Sequence, residues 1–160
     1  MLTPPPTDTV IVGCGNLLRG DDAAGPVLVR LLADRNVPPG VRLIDGGTAG
    51  MDVAFAMRGA RRVIVVDASR IGVEPGTIHR VPGEELINLS PPQGNLHQFR
   101  WDQALGFAQW LLKDDYPRDV TVWLVEGESF DLGDALTPVV QASIERIAND
   151  IVADVTVGLG

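Results

Sequence analysis

Three short stretches of this chain are almost wholly apolar and rich in β-branched residues: 9–13, 63–67 and 120–125, which read Thr-Val-Ile-Val-Gly, Val-Ile-Val-Val-Asp and Val-Thr-Val-Trp-Leu-Val. A strand with no polar face has to be covered on both sides, and a parallel sheet between helical layers provides that cover. A fourth strand is expected at 41–45. A short extra one, near a sheet edge, is expected at 77–81. Helical patterns alternate with these strands. One covers 24–35, with Pro26 in the first turn, where a missing N–H costs little. A second starts at the candidate cap Thr48 and reaches about 59. A third covers 101–114, with Leu105, Ala108, Leu111 and Leu112 forming an apolar stripe. The last follows Thr137, a candidate cap, and repeats Val140, Ile144, Ile147 and Ile151 at helical spacing. Such alternation predicts a single-domain α/β three-layer sandwich, a mostly parallel twisted sheet with helices on both faces. One domain over 1–160 is expected, with 1–8 as a flexible arm.

Charge and length exclude several function classes. The formal net charge is −8, the only lysine is Lys113 and no basic run occurs, so the sequence does not offer the cationic surface that displaces phosphate counterions. Nucleic acid is therefore not expected as a partner. No apolar run approaches the roughly 20 residues that span a bilayer, so neither is a membrane. The start of the chain lacks the basic region and apolar core of a signal peptide. A lone cysteine, Cys14, allows no internal disulfide and suits a reducing compartment. The expectation is a soluble cytoplasmic protein.

Acids recur where strands end: Asp21-Asp22 shortly after the first, Asp45 on the second and Asp67 on the third. Open α/β sheets bind ligands at the carboxyl ends of their strands, near a switch in strand order. Parallel strands would bring these acids to one rim, where a cation or a shared proton would relieve their repulsion. The alternative for each is a cap on the turn that follows. A dinucleotide is excluded, because Leu18 stands where the G-x-G-x-x-G pattern from Gly13 needs its third glycine. Of the two histidines, His79 falls in an expected strand. His97 lies in a proline-rich loop just before a helix, a usual home for functional side chains. A lone loop histidine is more often solvated than ligating, but with the acids it completes an Asp/Asp/His set suited to zinc, nickel or iron. Cys14 reads as a small core residue, Ser69 and Ser129 fit no nucleophile elbow, and Glu126 and Glu128, which could reach the same rim as a base or substrate contact, read rather as solvated loop acids.

The run Gly13-Cys14-Gly15-Asn16-Leu17-Leu18-Arg19-Gly20-Asp21-Asp22-Ala23-Ala24-Gly25 resembles the opening signature of the hydrogenase maturation endopeptidases, which process the large subunit of nickel–iron hydrogenases. The resemblance continues through Asp45-Gly46-Gly47-Thr48-Ala49-Gly50, Val65-Val66-Asp67-Ala68, His97-Gln98 and Leu136-Thr137-Pro138. It implies an endopeptidase that cuts a C-terminal extension from a precursor already loaded with nickel. It further implies metal contact by Asp22, Asp67 and His97, with nickel brought by the substrate. Asp45, Gly46, Gly47 and Thr48 are the expected substrate contacts, and the family suggests a monomer. Two departures stand out. Some members have glutamate at the position of Asp22, and many have glycine at that of Ala23, which matters only if that backbone needs positive φ. Two other functions remain open at this level: a metal-dependent hydrolase or phosphorylase of small molecules, and a non-catalytic nickel-sensing or chaperone-like module.

Overall fold

The computed structural model describes residues 8–47, 55–87, 105 and 108–157. Among them five strands form one sheet: β1 (Thr9–Cys14), β2 (Val41–Gly47), β3 (Arg62–Ser69), β4 (Ile78–Pro82) and β5 (Asp119–Glu126). Their order is β2-β1-β3-β5-β4. The first four in that order are parallel, and β4 closes one edge antiparallel to β5. The α/β sandwich inferred from the alternating pattern is therefore the observed architecture. Three described helices accompany it: α1 (Ala24–Ala33), the single-turn α2 (Gly83–Ile87) and the long α3 (Pro138–Val157). Residues 108–112 are also helical.

Each apolar strand divides its side chains between two cores. Val10, Val12, Val63, Val65, Val120, Val122 and Leu124 pack on one face with Met57, Leu105, Ala108 and Leu112. Ile11, Ile64, Val66, Trp123 and Val125 pack on the other, beneath Leu28 and Leu32 of α1 and Val140, Ile144, Ile147 and Ile151 of α3. The period-two alternation of a strand puts neighbours on opposite faces, so a double-sided core requires the continuous apolar runs seen in the sequence. Each fully buried Leu, Ile or Val contributes roughly 1.5–3 kcal/mol relative to an exposed one. The sheet is correspondingly hard to rearrange, and it gives its rim loops a rigid base.

Several boundaries differ from expectation. α1 ends at Ala33. β2 continues through Gly46 and Gly47, so these glycines belong to the strand rather than to the turn after it. Of the expected arm, Asp8 is already held, donating its amide to Gly40 O at 2.9 Å and pairing with Arg61 at 2.9 Å. Residues 1–7 lie outside the described residues.

Candidate active site

The strand order reverses direction at β1. The chain passes from β1 through α1 to β2 on one side, then returns to place β3 on the other. The crevice of an open α/β sheet lies at such a switch point, here above the carboxyl ends of β1 and β3. Two of the predicted site residues are there. Val66 pairs with Gly13, which puts Asp67 level with the point where β1 leaves the sheet. Asp22 sits in a 3₁₀ turn, Gly20–Ala23, on the return path from β1 into α1.

Glycines bring that turn close. A Cβ on Gly25 would overlap Cys14 O and stand 2.6 Å from Val66 O, so α1 can begin directly over the β1–β3 junction only without one. Gly15 has φ +141°, and a Cβ there would overlap the carbonyl oxygen of Asp22. Ala23, by contrast, has φ −77°, ordinary helical backbone, so alanine in place of the family's frequent glycine strains nothing.

Asp22 is 1% exposed and Asp67 5% exposed. Asp22 accepts the Asn16 amide through Oδ2 at 2.9 Å, and Asp67 accepts the Ala68 amide through Oδ1 at 2.8 Å. Asp22 also directly precedes the N-terminus of α1, whose aligned amides favour negative charge. One buried carboxylate on the turn before α1 and one near the end of β3 offer oxygen donors whose chemistry fits a divalent cation or a shared proton. Among the described residues no group of three or more His, Cys, Asp or Glu side chains is placed to hold a metal ion. The third expected ligand, His97, lies outside the described residues, as does Thr48. Asp45 is exposed on β2, paired with Gly13, and so is offset from the β1–β3 crevice by one strand.

Two buried acids near the crevice have roles that the sequence reading missed. Asp21 is 0% exposed. Its Oδ2 accepts the amides of Glu128 at 2.7 Å and Ser129 at 3.1 Å, and its Oδ1 accepts the amide of Thr137 at 2.8 Å. The Thr137 hydroxyl donates to both oxygens, at 3.0 and 2.9 Å. Thr137 directly precedes α3, where a cap would use its hydroxyl oxygen as acceptor and leave the proton free to be donated. The hydroxyl proton goes to Asp21, because a buried carboxylate must collect donors to offset its lost hydration. Glu126 corrects the expectation of a solvated acid: it is 2% exposed and accepts Ser69 Oγ at 2.9 Å, the Ile71 amide at 3.0 Å and the Gly72 amide at 2.9 Å. It thereby shapes the loop that leaves β3 just after Asp67. Glu128 is exposed, as expected. Glu126 stands at the carboxyl end of its strand much as Asp67 stands near that of β3, and this shared position was the available signal.

Comparison with known proteins decides the family. The family profile described as hydrogenase maturation protease (HycI) matches residues 26–154. The chain belongs to the hydrogenase maturation protease family. It is 34% identical over 151 residues to the hydrogenase expression/formation protein HoxM of Azotobacter vinelandii, covering 91% of this chain and 72% of that protein. It is 31% identical over 147 residues to the hydrogenase 2 maturation protease of Escherichia coli, covering 90% and 88%. The solved hydrogenase maturating endopeptidase HybD from E. coli superposes with a TM-score of 0.83 at 29% identity, over 94% of this chain and 93% of that one. The HycI maturation protease from Thermococcus kodakarensis shares the fold, with a TM-score of 0.75 at 20% identity over 95% and 94% of the two chains. The profile begins at Pro26, so it spans Asp67 but not Asp22, whose placement rests on the geometry. No helix among the described residues is long and apolar enough to cross a membrane.

Proposed function

We propose that this protease removes the C-terminal extension of a nickel-loaded nickel–iron hydrogenase large-subunit precursor, with Asp22, Asp67 and His97 as its working groups. The supporting observation is the buried Asp22/Asp67 pair at the switch-point crevice, in a chain that belongs to the maturation protease family. Nickel enters as part of the substrate, and two carboxylates with one imidazole form a suitable donor set for it. Bound there, the ion would supply Lewis-acid polarisation beside the scissile bond.

The chain's own residues supply position and environment. The Asn16 and Ala68 amides fix the two carboxylates. Burial of both acids lowers the local dielectric and strengthens their attraction for a cation. β2 is a sheet edge, so the strand carrying Asp45, Gly46 and Gly47, with Thr48 after it, suits an extended substrate tail laid alongside. Acting on a newly made precursor, the protein would work in the cytoplasm, and we take it to do so as a monomer.

The test is the mass of a precursor after incubation with the protein, nickel-loaded against nickel-free. Shortening of the loaded form alone is the expected result. Binding without shortening would instead indicate a chaperone-like module. Turnover of small substrates by a protein that retains its own tightly held metal would indicate a small-molecule hydrolase. His97→Ala should keep the thermal unfolding transition and abolish tail removal; wild-type cleavage by that variant would remove His97 from the site.

A further inference from the structure

Four exposed apolar side chains stand on loops that follow the carboxyl ends of the sheet's strands. Leu18 is 66% exposed, Leu132 67%, Ile71 45% and Leu17 38%. They belong to the three loops that leave the carboxyl ends of β1, β3 and β5. Those loops are stitched together. Leu18 donates its amide to Asn16 Oδ1 at 2.9 Å, and Leu18 O accepts the Gly133 amide at 2.7 Å. Gly20 donates to Asp134 O at 3.1 Å, and the Arg70 guanidinium stacks on the Phe130 ring at 5.3 Å. Large apolar groups that stay in water on an ordered backbone lose little freedom when covered, as interface anchors do.

We infer that Leu17, Leu18, Leu132 and Ile71 form the docking surface for an apolar stretch of the precursor polypeptide beside its cleavage point. The inference rests on the proposed proteolysis of a hydrogenase precursor. Continuity with the crevice argues for this occupant. The amide of Asn16, next to Leu17, is bonded to Asp22 itself, so the loop carrying the two leucines is anchored to the acid at which the chain is proposed to be cut. Charge argues against a second copy, since two chains of −8 repel one another.

The test is steady-state cleavage of the nickel-loaded precursor by the double variant Leu18→Asp with Leu132→Asp, beside the conservative Leu18→Met with Leu132→Met. The aspartate pair should raise KM about tenfold or more with kcat within about twofold. The methionine pair should restore the wild-type KM, and both should melt as the wild type does, because the replaced side chains are exposed. An unchanged KM in the aspartate pair overturns the docking surface. So does a wild-type protein that sediments as a dimer and becomes monomeric in the aspartate pair with KM unchanged, which would assign the leucines to a second copy. Asp67→Asn separates the two levels. If it leaves the precursor uncut while the aspartate pair cleaves with wild-type KM, the docking surface falls alone. If Asp67→Asn cleaves normally, the reading of the acid pair falls.

Discussion

Asp21 and Asp22 are neighbours in the chain and equally withdrawn from water, yet they belong to different regions of the molecule. Asp21 gathers donors from more than 100 residues away, at Glu128, Ser129 and Thr137, and so ties the turn before α1 to the loop that enters α3. Asp22 accepts an amide from Asn16, six residues back, in a loop that lines the crevice. The same contrast recurs on the next strands: Glu126 binds the loop 69–72, while Asp67 faces the switch point with a bond to its own neighbour Ala68. A second rank of acids thus organises the loops, while the front rank comprises the acids proposed above to meet the substrate. Burial alone does not distinguish the ranks; the long-range amides gathered by Asp21 and Glu126 mark the second.

The largest expected effect falls on the front rank. Asp67→Asn should lower the rate of precursor shortening by about a thousandfold or more, with the unfolding midpoint close to wild type. A variant of unchanged rate would dissolve the distinction. Next comes Asp21→Ala, which strands the donors of Glu128, Ser129 and Thr137. Unsatisfied groups of this kind cost about 1–3 kcal/mol each when fully buried, and these are part-buried, so urea unfolding should report a loss of about 3–5 kcal/mol. Glu126→Gln keeps one acceptor oxygen and should lose about 1–2 kcal/mol, with faster amide hydrogen exchange at Ile71 and Gly72 as the local sign.

The smallest effect lies far from the crevice, at Tyr116. Burial, with help from the Glu84 charge, pushes its phenol up from 10.0 to about 12. The folded protein then holds the phenolic proton more tightly than the unfolded chain does. Stability from this group is complete below pH 10 and is lost as pH rises towards 12. The buried Tyr116 hydroxyl has no hydrogen-bond partner among the described residues, so Tyr116→Phe should change stability by less than about 1 kcal/mol at pH 7. It should also flatten the alkaline decline, as thermal melts across pH 9–12 would show.

Much of the fold was legible because it depends on local periodicity. Val63–Val66 and the run from Val120 to Val125 can be satisfied only by covering both faces, and Ile144, Ile147 and Ile151 of α3 help to do so. The positions of Asp22 and Asp67 at a switch point followed from the same alternation. The second rank was not legible. Asp21 meets Thr137 across 116 residues, and no spacing rule brings a 3₁₀ turn to the entrance of the last helix. Glu126 reads as any charged residue after a strand until the amides of Ile71 and Gly72 are seen to converge on it. Long-range hydrogen bonds to one carboxylate leave no periodic trace, whereas apolar burial does.

The division of labour between the adjacent aspartates is tested most directly by the cleavage rate per folded molecule for Asp22→Asn beside Asp21→Asn, on nickel-loaded precursor at 25 °C. Asp22→Asn should fold as the wild type does and leave the precursor full length. Asp21→Asn should unfold at lower denaturant while its folded fraction still cuts. Wild-type cleavage by Asp22→Asn, or an Asp21→Asn protein of undiminished stability, would contradict the account.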